Sequence, residues 1–268
     1  MLTMHPTLLI GPADWDAARM PREEFSARIA RLWELWPRAS GAIVYGDSSD
    51  HAALAYLTSF TPKLEPSIAL IPRTGAPRLM VGGGANMIPA AKPLTWVADL
   101  VSLRPTAKTI AQWREGIGGG ECICIGIDAM PTRLRRELDT VFGGETPDDD
   151  AAAVLALMQH KSARELACIR DASVTLQGAV DAMADAHRRG EGVTAVILAG
   201  EHAAIKREAQ DVRTLFSLDG GRTYRPFSVS IEHAIDPLQI YIAVCRFGYW
   251  VDGYVTLAGG SATLRSAA

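Results

Sequence analysis

Histidine and cysteine residues are considered first, because imidazole and thiolate groups bind metals and act as acids, bases or nucleophiles. The six histidines include no pair at the i, i+4 spacing of a helical zinc site. Cys122 and Cys124 stand two residues apart, but no second cysteine or histidine pair accompanies them at ligand spacing. We therefore expect buried, inert thiols and no metal ligands, and solvated side chains at His187 and His202.

A carboxylate and an imidazole are adjacent at Glu232 and His233, in a predicted loop. Such a pair can supply a general acid and a general base, and loops often carry functional residues. Glu232 and His233 are therefore the candidate catalytic residues, the alternative being that both are ordinary solvated loop residues. The sequence contains no Gly-x-Ser-x-Gly, which argues against an α/β-hydrolase triad.

Three consecutive glycines, Gly82 to Gly84, follow a predicted strand at the position of a phosphate-binding loop. Neither the dinucleotide fingerprint nor the P-loop can be completed from the residues that follow them. The pattern therefore favours a plain turn over a phosphate site.

Strands and helices alternate in the first half of the chain, which predicts a sheet with helices packed on it. Short apolar runs bounded by turn residues predict strands at Ala42–Tyr45, Ser67–Pro72, Pro77–Val81, Trp96–Leu103 and Cys122–Ile127. Helical spacing of apolar residues predicts helices at Pro21–Trp36, Thr106–Ile117 and Pro131–Phe142.

The second half shows helices followed by strands, an α+β pattern. Helices are predicted at Ser162–Arg189 and Thr194–Gln210, and strands at Val212–Leu218, Leu238–Cys245 and Trp250–Leu257. The polar, acidic run from Glu145 to Asp150 is the expected linker. We place the domains at 1–147 and 151–268.

Composition narrows the class of partner. The chain has 268 residues, 48% hydrophobic and 21% charged, with a formal net charge of −3. This balance is typical of a globular protein and gives no basic face for nucleic acid or an anionic membrane. Four cysteines are too few for a disulfide scaffold, and the amino terminus lacks the basic region of a signal peptide, so we expect a cytoplasmic protein.

Several stretches together resemble the creatinase, prolidase and aminopeptidase P family. Tyr56–Phe60 reads Tyr-Leu-Thr-Ser-Phe, similar to the family's Tyr-Leu-Thr-Gly, and precedes two predicted strands as it does there. His160–Ala172 is similar to the family's Lys-Ser-x-Glu-Glu entry into its catalytic domain, including Arg170 and Ala172. The resemblance implies an α/β amino-terminal domain followed by an α+β, pita-bread-like domain.

The family's metal ligands do not carry over. Metal-dependent members have Asp-x-Gly followed by Gly-Tyr-x-x-Asp, and both aspartates bind a dinuclear centre. Here Gly248, Gly253 and Tyr254 match, but Arg246 and Leu257 stand at the two aspartate positions. Neither side chain can replace the oxygen ligand of a hard divalent cation.

The resemblance also suggests which residues contact a substrate. Phe227 falls at the family's pocket histidine, and Arg246 has the planar fork that suits a substrate carboxylate. We take Arg246, Phe227 and Arg222 as candidate substrate-binding residues. The alternative is an exposed strand residue at Arg246 and core packing at Phe227 and Leu257.

The resemblance implies a hydrolase, and creatinase itself cleaves a C–N bond without a metal. We therefore expect a metal-independent hydrolase of a small amide or amidine, with no cofactor, or an inactive binding or assembly subunit of the same fold. The family's paired halves imply that only the first half of the catalytic-type domain is encoded here. We expect a longer natural chain or a second copy to cover the sheet, and a homodimer, since family members commonly pair.

Overall fold

The computed structural model describes residues 14–144, 146–226 and 230–259, with the backbone of 261–265. The chain divides into two compact units, the first ending at Lys161 and the second beginning at Ser162. Phe227, one of the candidate binding residues, lies outside the described residues.

The first unit is built on a mixed five-stranded sheet. Its strands are β1 (Gly41–Gly46), β2 (Ser67–Pro72), β3 (Arg78–Val81), β4 (Asp99–Ser102) and β5 (Cys122–Ile125), in the order β4-β3-β2-β1-β5. Strand β1 runs antiparallel to β2 and parallel to β5, and β3 runs parallel to β4. Every residue of β1, β2 and β5 is buried, as expected for apolar strands that are covered on both faces.

Six α-helices surround these strands in the described part of this unit. They are α1 (Arg22–Leu35), α2 (Ala52–Thr58), α3 (Ile88–Ala91), α4 (Thr106–Gly116), α5 (Thr132–Val141) and α6 (Ala151–Gln159). The predicted strand Trp96–Leu103 is shorter than expected, because Trp96 and Val97 pack as buried loop residues before β4 begins. All four cysteines are buried, which confirms the expected burial of Cys122 and Cys124.

The acidic segment near Asp150 is attached to the first sheet. The Asp149 carboxylate accepts hydrogen bonds from the amides of Gly126 and Ala151 at 2.9 and 2.8 Å. The Asp150 amide donates to the Cys124 carbonyl at 2.8 Å. These contacts fix the start of α6, an Ala-rich helix that the sequence pattern did not predict because it has few polar positions.

The second unit packs two helices on one antiparallel sheet. The helices are α7 (Ala163–Arg188) and α8 (Val193–Lys206), and the strands are β6 (Asp211–Ser217), β7 (Leu238–Arg246), β8 (Tyr249–Ala258) and β9 (Ser261–Arg265). The strand order is β6-β7-β8-β9. Ser162 and Glu165 form a reciprocal capping box that starts α7. Strand β9 was missed in the sequence, because its small residues resemble a turn.

The expectation of a solvated His187 is wrong. Its side chain is only 8% exposed, and Nε2 lies 2.9 Å from the Ile235 carbonyl oxygen. The last turn of α7 therefore packs beneath the loop before β7, and the imidazole supplies that buried contact, whereas His202 is exposed. Among the described helices, none combines the length and the apolar character needed to cross a bilayer.

Candidate functional site

One face of the second sheet packs on α7 and α8, and the opposite face, which we call the open face, packs on neither of these two described helices. Ile240, Ile242 and Val244 of β7 belong to the core formed with α7 and α8. Successive side chains of a strand point to opposite faces, so the alternate residues project away from that core. From β7 and β8, the open face carries Gln239, Tyr241, Ala243, Trp250, Asp252, Tyr254 and Thr256.

Three tyrosines form a cluster on the open face. Tyr241 and Tyr254 are direct cross-strand partners, with ring centroids 5.3 Å apart. Tyr224, from the loop after β6, meets the Tyr254 ring edge-on at 5.2 Å. The arrangement leaves 42% of Tyr254 exposed, so an aromatic surface remains available to a ligand.

A carboxylate lies beside this tyrosine cluster. The Asp252 carboxylate lies near the Tyr241 hydroxyl and acts on it electrostatically. Burial raises the pKa of Tyr241, and the neighbouring Asp252 carboxylate raises it further. The phenol therefore stays protonated at neutral pH, and Asp252 supplies a negative charge on this surface.

The open face also holds a guanidinium stacked on an aromatic ring. The Arg213 guanidinium carbon lies 4.6 Å from the centroid of the Trp250 ring. Asp211 pairs with Arg213 at 3.4 Å. A planar cation placed over an aromatic ring is attracted by its π electrons, and this geometry is already present within the chain.

The loop after β6 is shaped by Asp219. Its carboxylate accepts hydrogen bonds from the Thr223 amide at 3.0 Å and the Thr223 hydroxyl at 2.7 Å. These bonds, with others from Ser217 and the Arg222 amide, hold the pKa of Asp219 far below its usual range. The charged carboxylate therefore fixes the turn that carries Arg222 and Tyr224.

Gln239 lies under the same loop. The loop passes close to its Oε1 atom at Gly221, whose φ of +85° is a conformation that favours glycine. That oxygen is buried and has no hydrogen-bond partner among the described residues. Gln239 therefore presents an unpaired acceptor at the end of the open face where the loop closes.

Arg246, a candidate binding residue, lies at the other end of β7 and on the helical side. Its guanidinium donates to the Thr175 hydroxyl at 3.3 Å and to the Glu208 carboxylate at 2.9 Å. The side chain is 19% exposed, against 82% for Glu208. A tight turn follows at Phe247 and Gly248, which have φ angles of 54° and 78°. The contacts give Arg246 a role in joining β7 to the two helices.

The two family aspartate positions do not fit a divalent metal in this chain. Leu257 is fully buried in the core between the sheet and the helices. Arg246 carries a positive charge that a cation would avoid. No group of three or more histidine, cysteine, aspartate or glutamate side chains among the described residues could hold a metal ion.

Glu232 and His233 lie at the start of α8. The His233 carbonyl accepts a hydrogen bond from the Val193 amide at 3.3 Å, and the Ile231 carbonyl accepts one from the Thr194 amide at 3.1 Å. The backbone of this segment thus satisfies the free amides of the helix. Both side chains are exposed, and Glu232 bonds with Ser230.

The candidate residues fall into two groups. Arg246 contacts Glu208, just after the end of α8, whereas His233 contacts the beginning of that helix. The 14 residues of α8 place its two ends about 20 Å apart. Arg222 is exposed in the loop after β6, which lies at the same end of β7 as Glu232. The structure therefore separates Arg246 from Arg222, Glu232 and His233.

Sequence reasoning missed the open face. The signal was present as a period of two in β8, where Trp250, Asp252, Tyr254 and Thr256 alternate with more buried residues. Such alternation predicts one exposed face but does not indicate that a loop residue, Tyr224, adds a third ring.

No protein-family model and no curated protein sequence matches the chain. Several solved structures are similar to the chain. An X-Pro aminopeptidase from Thermotoga maritima is 16% identical with a TM-score of 0.66, over 86% of this chain and 64% of that chain. An Xaa-Pro dipeptidase from Bacillus anthracis is 14% identical with a TM-score of 0.63, over 89% and 65%. A prolidase from Pyrococcus horikoshii is 16% identical with a TM-score of 0.63, over the same shares.

These likenesses establish the fold. The chain has the pita-bread fold of these peptidases, and the resemblance noted in the sequence is confirmed at that level. The chain spans less than two thirds of the length of each of these proteins, so it corresponds to part of their architecture.

Proposed function

We propose that the protein is a metal-independent hydrolase of a C–N bond in a small, cationic amide or amidine. The observation that carries this proposal is the open face, where the tyrosine cluster lies next to the Asp252 carboxylate. Aromatic faces attract a planar cation, and a carboxylate pairs with its N–H groups. A neutral amide can stack on the tyrosine rings, but it lacks the positive charge that would pair with the Asp252 carboxylate.

The fold supports a hydrolase, because its solved relatives are named as peptidases and dipeptidases. The residues at Arg246 and Leu257 support chemistry without a dinuclear metal at those positions. We assign the acid–base step to Glu232 and His233, at the end of the sheet where the loop carrying Tyr224 also lies. One of them takes a proton from water as its oxygen adds to the substrate carbon, and a proton is returned to the nitrogen as the C–N bond breaks.

Binding without turnover is the second candidate function. It is favoured by the exposure of the Glu232 and His233 side chains and by the hydrogen bonds of the Ile231 and His233 carbonyls to the start of α8. In that case the open face would hold the same cationic ligand, and no product would form.

Calorimetry and product analysis on the purified chain test the proposal. Creatine and other amidines, neutral amides and Xaa-Pro dipeptides would be compared, with and without added Mn²⁺, Co²⁺ or Zn²⁺. We expect amidine binding, released amine or urea without metal, and no Xaa-Pro cleavage.

Asp252→Asn should weaken amidine binding by roughly tenfold, the worth of one charge-assisted hydrogen bond. The matched control is Asp181→Asn, which removes one carboxylate from the exposed surface of α7. Equal binding by both variants would refute the assignment of the open face. Binding that depends on Asp252, without any product, would support the second candidate instead.

A further inference from the structure

The first unit contains a cavity of about 210 Å³ that the proposed hydrolysis does not use. It lies among residues 60–65, the end of β3 and helix α3. Most of its lining is apolar, contributed by Phe60, Pro62, Leu64, Val81, Met87, Ala90, Ala91 and Leu94. Pockets that bind drug-sized ligands measure roughly 300–1,000 Å³, so this cavity suits a smaller molecule.

Three glycines after β3 create the space. A Cβ at Gly82 would collide with the Pro66 carbonyl and lie 2.5 Å from the Glu65 Cβ, so only glycine lets that segment close over the strand. Gly83 and Gly84 have φ angles of +80° and +91°, which side chains rarely adopt. The glycine run that completes no phosphate motif therefore builds a turn that forms one wall of this cavity.

The deep part of the cavity is apolar with one hydroxyl. Phe60, Val81 and Ala91 are nearly fully buried there, as is Ser67, which is 1% exposed. The Ser67 oxygen accepts a long hydrogen bond from the Gly82 amide at 3.4 Å. An apolar group is favoured at this depth, because water would find few partners.

The rim, in contrast, carries one charge of each sign. Lys63 and Glu65 both line the cavity, and both reach solvent. Within the described part of the chain, neither forms an ion pair with an opposite charge. A ligand with an ammonium group, a carboxylate and an apolar tail complements both ends of the cavity.

We propose that this cavity binds a free amino acid with an apolar side chain. The side chain enters the apolar depth, Lys63 pairs with the carboxylate, and Glu65 pairs with the ammonium group. Charge-assisted hydrogen bonds at the rim then fix the orientation. This site does not depend on the hydrolysis proposed above.

Titration calorimetry of the full chain tests the site with L-leucine, L-methionine and L-phenylalanine against glycine. We expect the apolar amino acids to bind and glycine to bind at least tenfold more weakly, because it lacks the buried side chain. The analogues 3-phenylpropionate and phenethylamine each lack one charge, so each should bind several-fold more weakly than phenylalanine. Failure of all three apolar amino acids to bind would overturn the proposal.

Variants locate the binding. Lys63→Met should weaken phenylalanine binding several-fold and leave phenethylamine unchanged, and Glu65→Gln should leave 3-phenylpropionate unchanged. Ala90→Trp places a large ring at the exposed rim and should abolish binding, whereas Ala85→Trp, on an exposed residue outside the lining, should not. Equal binding by both tryptophan variants would overturn the location. If Ala90→Trp fails to fold by circular dichroism, the two rim-charge variants decide.

Discussion

Replacing Arg246 with alanine distinguishes a structural role from substrate recognition. Three contacts would be lost: the ion pair to Glu208, the hydrogen bond to Thr175, and the position over the Phe247 ring at 4.8 Å. Glu208 is 82% exposed, so the ion pair is worth only about 0.2–1 kcal/mol. Thr175 still donates to the Asp171 carbonyl at 3.0 Å, so its hydroxyl is not left unpaired.

The remaining cost comes from the buried stem of Arg246, which packs between β7 and the helices. Together these terms predict a loss of about 2 kcal/mol in the free energy of unfolding. Urea denaturation measures this loss as a lower midpoint with an unchanged slope.

A double-mutant cycle separates the ion pair from packing. We expect Glu208→Gln and Arg246→Met to couple by less than about 1 kcal/mol, since the pair is solvated on one side. Amidine affinity should be the same in Arg246→Ala as in the unmodified chain. Unchanged stability together with lost binding would refute the structural role and restore Arg246 as a binding residue.

Three other measurements follow from the structure. His187→Ala should lower the free energy of unfolding by about 1–3 kcal/mol, because the Ile235 carbonyl loses its buried hydrogen-bond partner. His202 is exposed, so His202→Ala should change this free energy little, and urea denaturation of both variants checks the difference. Burial raises the pKa of Cys124 to about 12, so a thiol reagent should label this thiol at pH 8 only after unfolding. For the same reason, the contribution of Cys124 to the free energy of unfolding should be lost as the pH rises from about 9 towards 12. Because Arg246 and Leu257 replace carboxylates, elemental analysis should find no stoichiometric Mn, Co or Zn, and two metal ions per chain would contradict the argument.

The sequence was informative where local pattern and burial agree. Strand β2 was predicted residue for residue, because Pro72 ends an apolar run that starts at Ser67. Helix α7 was predicted within one residue at each end, because Ser162 caps it and Gly190 follows it. Helix α6 was missed, since an Ala-rich segment next to three aspartates has no clear periodicity.

The site was harder to predict, because its members come from separate segments. Glu232 and His233 were named for their side-chain chemistry, yet the contact of His233 with α8 is made by its backbone carbonyl, and the Glu232 side chain bonds with Ser230. Tyr224 and Tyr254 are 30 positions apart and meet only because the loop after β6 folds back over β8. The residues around each tyrosine do not predict that the loop folds back over β8.

The orientation of the two family aspartate positions has a consequence for any chemistry on this sheet. Leu257 and Arg246 both contact the helical side, where the core of the second unit lies. An apolar core and a held guanidinium therefore occupy these two positions between the sheet and the helices. Under the proposed function, the ligand of the second unit approaches from the open face, where Asp252 and the tyrosine cluster lie. Substitutions there should then affect binding before they affect folding.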